Sequence, residues 1–194
     1  MAGYAFTFFG TAIGRCGVAW SERGVASVML PEAREIDTWR RMLQRFPGGR
    51  ETTRPPHDVH EAIDGMVGLL AGEAVDLGDI ELDLGGVPAF ERRVYAVTRS
   101  IPRGETLTYG EVARRLGASG APRAVGQALG KNPVPIIVPC HRVLAADGAT
   151  GGFSAPGGVA TKFRILTIEG ALAPSRAPTL FDVLLSVPPT RTPR

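Results

Sequence analysis

Short apolar runs separated by polar or glycine-containing breaks open the chain. Residues 4–9, 17–20 and 25–30 are β-prone, and Gly14-Arg15 and Ser21-Glu22-Arg23-Gly24 punctuate them as hairpin turns do. The period then changes. Ile36, Trp39, Leu43 and Phe46 recur at near-helical spacing, which predicts a helix over 32–46 with those side chains available for burial, stopped by Pro47-Gly48-Gly49. Arg54-Pro55-Pro56 reads as a loop. Residues 58–71 predict a second helix with Ala62, Met66, Leu69 and Leu70 as its apolar stripe, ended by Gly72. Ile80, Leu82 and Leu84 alternate with polar residues and predict one more half-exposed strand.

Gly85-Gly86-Val87-Pro88 marks a boundary, after which the pattern turns helical. Residues 88–100 offer Phe90, Val94, Tyr95 and Val97 for burial, and Ile101-Pro102-Arg103-Gly104 breaks that helix. Thr108 and Glu111 have capping-box spacing at the head of a helix over 109–116, which Gly117 ends. Pro122 suits the start of a second short helix that Gly130 closes. The pair makes a plausible helix-turn-helix, although taken without the neighbouring motifs it reads better as an ordinary helical hairpin. Asp147-Gly148 and Gly151-Gly152 read as turns, and a last helix over 159–168 places Phe163, Leu166 and either Ile165 or Ile168 inward. The tail from 171 to 194 has five prolines and one apolar patch at 180–185, so its ends are expected to be disordered. The fold class is α+β, in three parts: 1–87, a structural α+β unit; 88–170, mostly helical; and 171–194, the Pro-rich tail.

Composition narrows the class. Hydrophobic content of 44% and charged content of 21% suit a soluble globular protein. No apolar run reaches the length of a membrane span, the N-terminus lacks the plan of a signal peptide, and two cysteines are too few for a disulfide framework. A cytoplasmic monomer is expected. The three histidines and two cysteines show no zinc-ligand spacing; His57 and His60, three apart, fit a solvated helix face better than a metal site. The net charge of +3 hides an asymmetry: residues 1–87 carry 8 basic and 13 acidic side chains, residues 88–170 carry 11 and 5. The basic middle of the chain points to a polyanion partner.

The densest chemistry lies in Lys131-Asn132-Pro133-Val134-Pro135-Ile136-Ile137-Val138-Pro139-Cys140-His141-Arg142-Val143. Its three prolines remove backbone donors, so it is neither a central strand nor a helix interior. It reads as a short buried segment ending in a tight turn. Cys140 beside His141 and Arg142 is a candidate nucleophile, since neighbours set a thiol's pKa; it is equally well read as a buried structural thiol. The second short helix presents Ala121, Ala124, Gly126 and Ala128. Small side chains cannot make bidentate base contacts in a major groove, but they permit close approach to a minor groove held by phosphate contacts.

These residues carry a resemblance. The run from Asn132 to Val143 resembles the active-site signature of the methylated-DNA–protein-cysteine methyltransferases, the O6-alkylguanine-DNA alkyltransferases. The similarity runs back through Ile101-Pro102-Arg103-Gly104-Glu105, Thr108-Tyr109-Gly110 and Arg123-Ala124-Val125-Gly126, and on through Gly151-Gly152-Phe153-Ser154, Lys162 and Glu169-Gly170. It covers residues 88–170. The resemblance implies a small N-terminal α/β (RNase H-like) domain, structural in role, then a mostly helical domain with a helix-turn-helix. It implies direct, single-use transfer of an alkyl group from O6-alkylguanine, and possibly O4-alkylthymine, in double-stranded DNA to Cys140. A base in the stack must be extruded for this. The implied catalytic set is Cys140, His141 as base, Glu169 orienting it, Asn132 holding the turn and Tyr109 donating to the leaving base. The DNA contacts would be Arg123, in place of the extruded base, with Ala121, Pro122, Ala124, Gly126, Lys131 and Arg142. Tyr109, Pro135, Val143, Phe153, Ser154 and Lys162 would line the alkylguanine pocket. No cofactor and no metal are implied.

Three departures from the family pattern bear on the size of alkyl group accepted. Phe153 stands where tyrosine is frequent, Pro122 where alanine is usual, and the loop between Ser154 and Lys162 is about two residues longer than usual. The alternative is a non-catalytic alkyl-lesion recognition protein of the same fold, against which the presence of Cys140 counts. A cysteine hydrolase would need its base apart from the nucleophile. A plain DNA-binding regulator would need base-reading side chains on the second helix.

Overall fold

The computed structural model describes residues 3–146 and 151–171. Three antiparallel strands, β1 (Ala5–Thr11), β2 (Gly14–Ser21) and β3 (Gly24–Met29), pair in register with Phe6 opposite Ala19 and Val18 opposite Val28. The first turn is Ala12-Ile13 rather than Gly14-Arg15. Thr11 pairs with Gly14 across it, and Gly14 takes a φ of 127° to close it. A two-residue strand, β4 (Arg50–Glu51), runs parallel to β1, giving the order β3-β2-β1-β4. Strand β2 is buried from Cys16 to Ser21 because both faces of the sheet are covered. Helix α1 (Glu35–Arg45) covers one face, where Phe6, Ala19, Met29, Met42 and Phe46 form a small core. Helix α2 (His57–Leu70) covers the other with its expected stripe of Ala62, Met66, Leu69 and Leu70.

Helix α1 keeps Leu43 and Phe46 of its expected stripe against the small core but turns the other two outward. Thr38 and Met42 point inward, whereas Ile36 is 46% and Trp39 38% exposed. The rotation has a local cause. Gly17 leaves space that the Met42 methyl fills, and the Thr38 hydroxyl accepts the Glu32 N–H at 3.0 Å, so a polar residue is satisfied beneath the helix. The Trp39 indole donates to Glu51 at 3.1 Å on the outside. Residues 80–84 do not make a strand. They contribute one parallel bridge, Val25 to Leu82, after which Asp83 turns inward and accepts bonds from Ser21 at 2.7 Å and Arg23 at 3.1 Å. A buried carboxylate with these two donors and a third, the Gly85 N–H at 3.2 Å, ends the alternation. His57 and His60 lie on the exposed face of α2, His60 3.0 Å from Asp64.

The second half holds helices α3 (Ala89–Arg99), α4 (Tyr109–Arg115), α5 (Pro122–Gly130) and α6 (Gly158–Ile168). The capping box forms as expected: the Glu111 N–H donates to the Thr108 hydroxyl and the Thr108 N–H to the Glu111 carboxylate. A parallel pair that the pattern did not predict, β5 (Leu107–Thr108) with β6 (Val143–Leu144), ties the start of α4 to the residues after Cys140. Its strands are two residues each, too short to show a period. Helix α6 buries Val159, Lys162, Ile165 and Leu166, while Phe163 and Ile168 stay half-buried. The turn at Asp147-Gly148 and the tail beyond Ala171 lie outside the described residues.

One core joins the two halves. Cys16, Val18 and Met66 belong to the same cluster as Val94, Val125, Val138 and Ile165. Strand β3 also grips the cysteine-bearing loop directly, since the Val28 N–H and the Ser27 hydroxyl both donate to the Pro133 carbonyl, at 2.9 and 3.0 Å. At the centre of the helical half the buried Tyr95 hydroxyl donates to the Ala128 carbonyl at 2.9 Å, joining α3 to α5. Tyr95→Phe is expected to lower unfolding free energy by about 1 kcal/mol in urea titrations, because that carbonyl keeps a second donor, the Lys131 N–H.

Candidate active site

The loop after α5 is built by one amide. Asn132 donates through Nδ2 to the Val138 carbonyl at 2.8 Å and accepts the Val134 N–H through Oδ1 at 3.0 Å, so its side chain staples both ends of the segment. The Val138 N–H returns to the Val134 carbonyl at 2.9 Å. Inside this tight circuit Ile136 adopts a φ of 75°, a region β-branched residues avoid. Burial at 2% exposure and the Asn132 staple hold it there. The segment delivers Cys140 to the first position of a single 3₁₀ turn, Cys140–Arg142, whose side chains are all buried.

His141 and Arg142 both turn inward toward the residue that caps α6. His141 Nε2 lies 3.0 Å from Glu169 Oε1. The Arg142 guanidinium forks onto the same carboxylate, Nε to Oε2 and Nη2 to Oε1, both at 2.8 Å, and its Nη1 donates to the Ile101 carbonyl at 2.6 Å. Arg142 was expected on the DNA face; it is instead 7% exposed and committed to Glu169. Burial alone would raise the Glu169 carboxyl, but the hydrogen bonds and charges of Arg142 and His141 outweigh it and bring it down to about 2. His141 is pushed below its ordinary value, first by burial and then by Arg142 and Lys162, against the pull of Glu169. His141 Nδ1 is buried with no hydrogen-bond partner among the described residues.

Cys140 is 9% exposed. Burial raises its thiol, and the Asn132 hydrogen bond, the Lys162 charge and the N–H groups of Cys140 and His141 pull the other way. Lys162 is brought down to about 8 by burial, and its ammonium donates to the Val143 carbonyl at 2.6 Å while standing 5.9 Å from the centre of the Tyr109 ring. Tyr109 is pushed up by burial and by Cys140. Gly151, at a φ of 63°, lies against that ring so closely that a Cβ there would come within 2.9 Å of Cε2 and Oη. Ser154 donates to the Gly130 carbonyl at 2.9 Å, fastening the loop before α6 to the end of α5. Phe153 and Pro135 are half-buried, and Val143 is fully buried. On α5, Pro122 and Arg123 are exposed, Ala121, Ala124 and Gly126 half-buried, and Gly126 sits under the Tyr109 ring. Lys131 is exposed, 3.6 Å from Glu91. Among the described residues no group of three or more His, Cys, Asp and Glu side chains could hold a metal ion.

The fold thus brings together a buried thiol, an imidazole whose Nδ1 has no partner among the described residues, and a carboxylate on its Nε2 that lies 28 residues along the chain. Residues 89–171 match the 6-O-methylguanine DNA methyltransferase, DNA binding domain, family. A protein of Methanothermobacter thermautotrophicus named methylated-DNA–protein-cysteine methyltransferase is 40% identical over 154 residues, covering 79% of this chain and 78% of that protein. The chain belongs to the methylated-DNA–protein-cysteine methyltransferase family. A Mycobacterium tuberculosis protein of the same name is 44% identical over 144 residues, or 73% of this chain and 84% of its own. The crystal structure of Mycobacterium tuberculosis OGT in complex with DNA gives a TM-score of 0.69 at 34% identity, over 93% of this chain and 99% of that one. That of the O6-methylguanine-DNA methyltransferase from the archaeon Pyrococcus kodakaraensis gives 0.65 at 31% identity, over 85% and 99%.

The Arg142 fork, the Gly151 contact and the Ser154 tether were not legible in the residue pattern, since each joins segments far apart in the chain. The buried carboxylate makes a pH prediction. Because the folded Glu169 value lies below the ordinary 4.5, its contribution to stability is fully present above about 4.5 and is lost as pH falls toward about 2. Urea unfolding is expected to show a loss of about 3 kcal/mol across that window from this group. Glu169→Gln removes that dependence and costs about 3–5 kcal/mol at neutral pH by leaving Arg142 buried without its partner.

Proposed function

We propose that this chain repairs DNA by moving the alkyl group of O6-alkylguanine onto the Sγ of its own Cys140, one group per molecule. The observation that carries the reading is the buried run of Cys140 and His141 with His141 Nε2 on Glu169, the imidazole Nδ1 having no hydrogen-bond partner among the described residues. His141 Nδ1 takes the thiol proton, directly or through a water, and Glu169 stabilises the imidazolium that forms. Sulfur attacks the alkyl carbon in line, the S–C bond forms, and the C–O6 bond breaks. The electron pair goes to the guanine, which gains a proton at its ring nitrogen from the Tyr109 phenol. The product is a thioether, from whose alkyl carbon water does not readily displace the thiolate, so no turnover follows.

The damaged base must leave the helix to reach a thiol this buried. In our reading α4 and α5 act as a helix-turn-helix that docks α5 in the minor groove. The small residues Ala121, Ala124 and Gly126 allow close approach, Pro122 sets the start of the helix, and Lys131 meets a phosphate. The exposed Arg123 fills the gap left by the base. Pro135, Val143, Phe153, Ser154 and Lys162 surround the base with Tyr109. Residues 1–87 form an RNase H-like structural domain, 88–170 the DNA-binding and alkyl-acceptor domain, and 171–194 a tail. The active species is a cytoplasmic monomer, with O4-alkylthymine as a possible second lesion. No helix among the described residues is long and apolar enough to cross a membrane.

Intact-protein mass spectrometry after incubation with a short duplex containing O6-methylguanine tests the reading. A gain of one methyl group on Cys140, absent in Cys140→Ala, is the expected result; tight lesion binding without mass gain overturns it in favour of recognition alone. Arg123→Ala is expected to slow transfer from duplex DNA by about tenfold, equivalent to about 1.4 kcal/mol, while leaving the slower transfer from the free base unchanged. Single-turnover rates with both substrates check this.

A further inference from the structure

We infer that Arg142 is the positioning residue of the transfer: its fork on Glu169 fixes the proton of His141 on Nε2 and so keeps Nδ1 as the acceptor for the thiol. This inference rests on the alkyl-transfer reading and names a part of that site which residue pattern assigned to DNA. A carboxylate can hold an imidazole in either of two ways. If the carboxyl is protonated it can donate, and the ring nitrogen facing it then accepts. If it is ionised it only accepts, and that nitrogen must carry the proton. Glu169 has a fully buried side chain, so its charge state depends on what it touches. Arg142 supplies three of the relevant constraints at once. Its Nε and Nη2 occupy one lone pair on each oxygen at 2.8 Å, its charge keeps the carboxyl ionised, and its Nη1 is anchored on the Ile101 carbonyl at the end of α3. The remaining near lone pair of Oε1 faces His141 Nε2 at 3.0 Å. The tautomer follows: Nε2–H donates, and Nδ1 is left bare and buried, without a hydrogen-bond partner among the described residues.

The second effect is electrostatic. The charged and titratable groups around His141 are Glu169 and Lys162 from α6 and its cap, and Cys140 and Arg142 from its own turn; Tyr109 and Tyr95 face the thiol from α4 and α3. Burial does most to keep the imidazole neutral, while the Glu169 anion pulls it toward the cation, which cannot accept the thiol proton. Arg142 offsets that anion and so adds to the effect of burial.

The test uses the full chain with ¹⁵N-labelled histidine. The His141 signals, identified by their absence in His141→Gln, are expected to show a single tautomer with the proton on Nε2 at neutral pH. In Arg142→Met they are expected to show mixed or doubly protonated nitrogens. Single-turnover transfer from an O6-methylguanine duplex, scaled to the folded fraction, is expected to have its acid limb displaced upward by about one pH unit in Arg142→Met, a loss of about tenfold on the acidic side. Arg142→Lys keeps the charge without the fork and is expected to restore the pH limb but not the full rate. A wild-type proton on Nδ1, or an Arg142→Met profile that superposes on the wild type after scaling, overturns the inference. Absence of transfer by the wild type at every pH counts against the alkyl-transfer reading, and the wild-type tautomer then decides the positioning on its own.

Discussion

An anion with no water around it governs this structure. Glu169 has a fully buried side chain and stays ionised only because a guanidinium and an imidazole complete its shell. Those partners come from consecutive residues of one 3₁₀ turn, so the cap of α6 and the turn after Pro139 cannot separate without stranding a charge. Further ties close the same joint. Arg103 donates to the carbonyls of Ile168 and Gly72 at 2.9 and 2.8 Å, holding the end of α6 beside the end of α2, and Arg142 reaches the Ile101 carbonyl one turn of chain away. Cys140 therefore sits on a turn whose geometry is dictated by electrostatics as well as packing.

The sheet at the front of the chain carries no reactive group in this site, yet the site depends on it. Ser27 and Val28 hold Pro133 by two bonds, and Pro133 lies between Asn132, which makes the staple, and the strained Ile136. A shared core runs from Val18 to Val138. Strain at Ile136 persists only while its surroundings over-determine it, and the strand behind it is part of that enclosure. The acidic balance of residues 1–87 and the basic balance of 88–170 fit the same division: one side braces, the other meets the polyanion.

Much of this was legible in the residues, and the exceptions share a cause. Helices α2 to α5, the capping box at Thr108 and the turn at Cys140 are local, set by spacing and by residues that start or stop helices. Helix α1 was legible as a helix but not in its rotation, because Gly17 on β2 and the Glu32 N–H just ahead of the helix make Thr38 and Met42 the better inward face. The alternation at 80–84 was real but led to one bridge, since Asp83 had a buried partner 62 residues away in Ser21. Of the site, Cys140 and His141 announced themselves by adjacency. Glu169 came only through resemblance, and the direction of Arg142 could not be read at all, because a basic residue beside a nucleophile suits a phosphate as well as a carboxylate until the chain is folded.

The burial of Cys140 bears on how long an unused molecule stays useful. A reagent that works once is wasted by any reaction with the wrong partner. Peroxides and soluble electrophiles consume thiolates, and they consume exposed ones fastest. A thiol that is 9% exposed, with burial holding its proton on, is a poor target for them. The same enclosure that slows those losses sets an entry requirement, since only an electrophile brought into the site and aligned with Sγ can reach the sulfur at all. Shelf life and selectivity are then two readings of one buried sulfur atom.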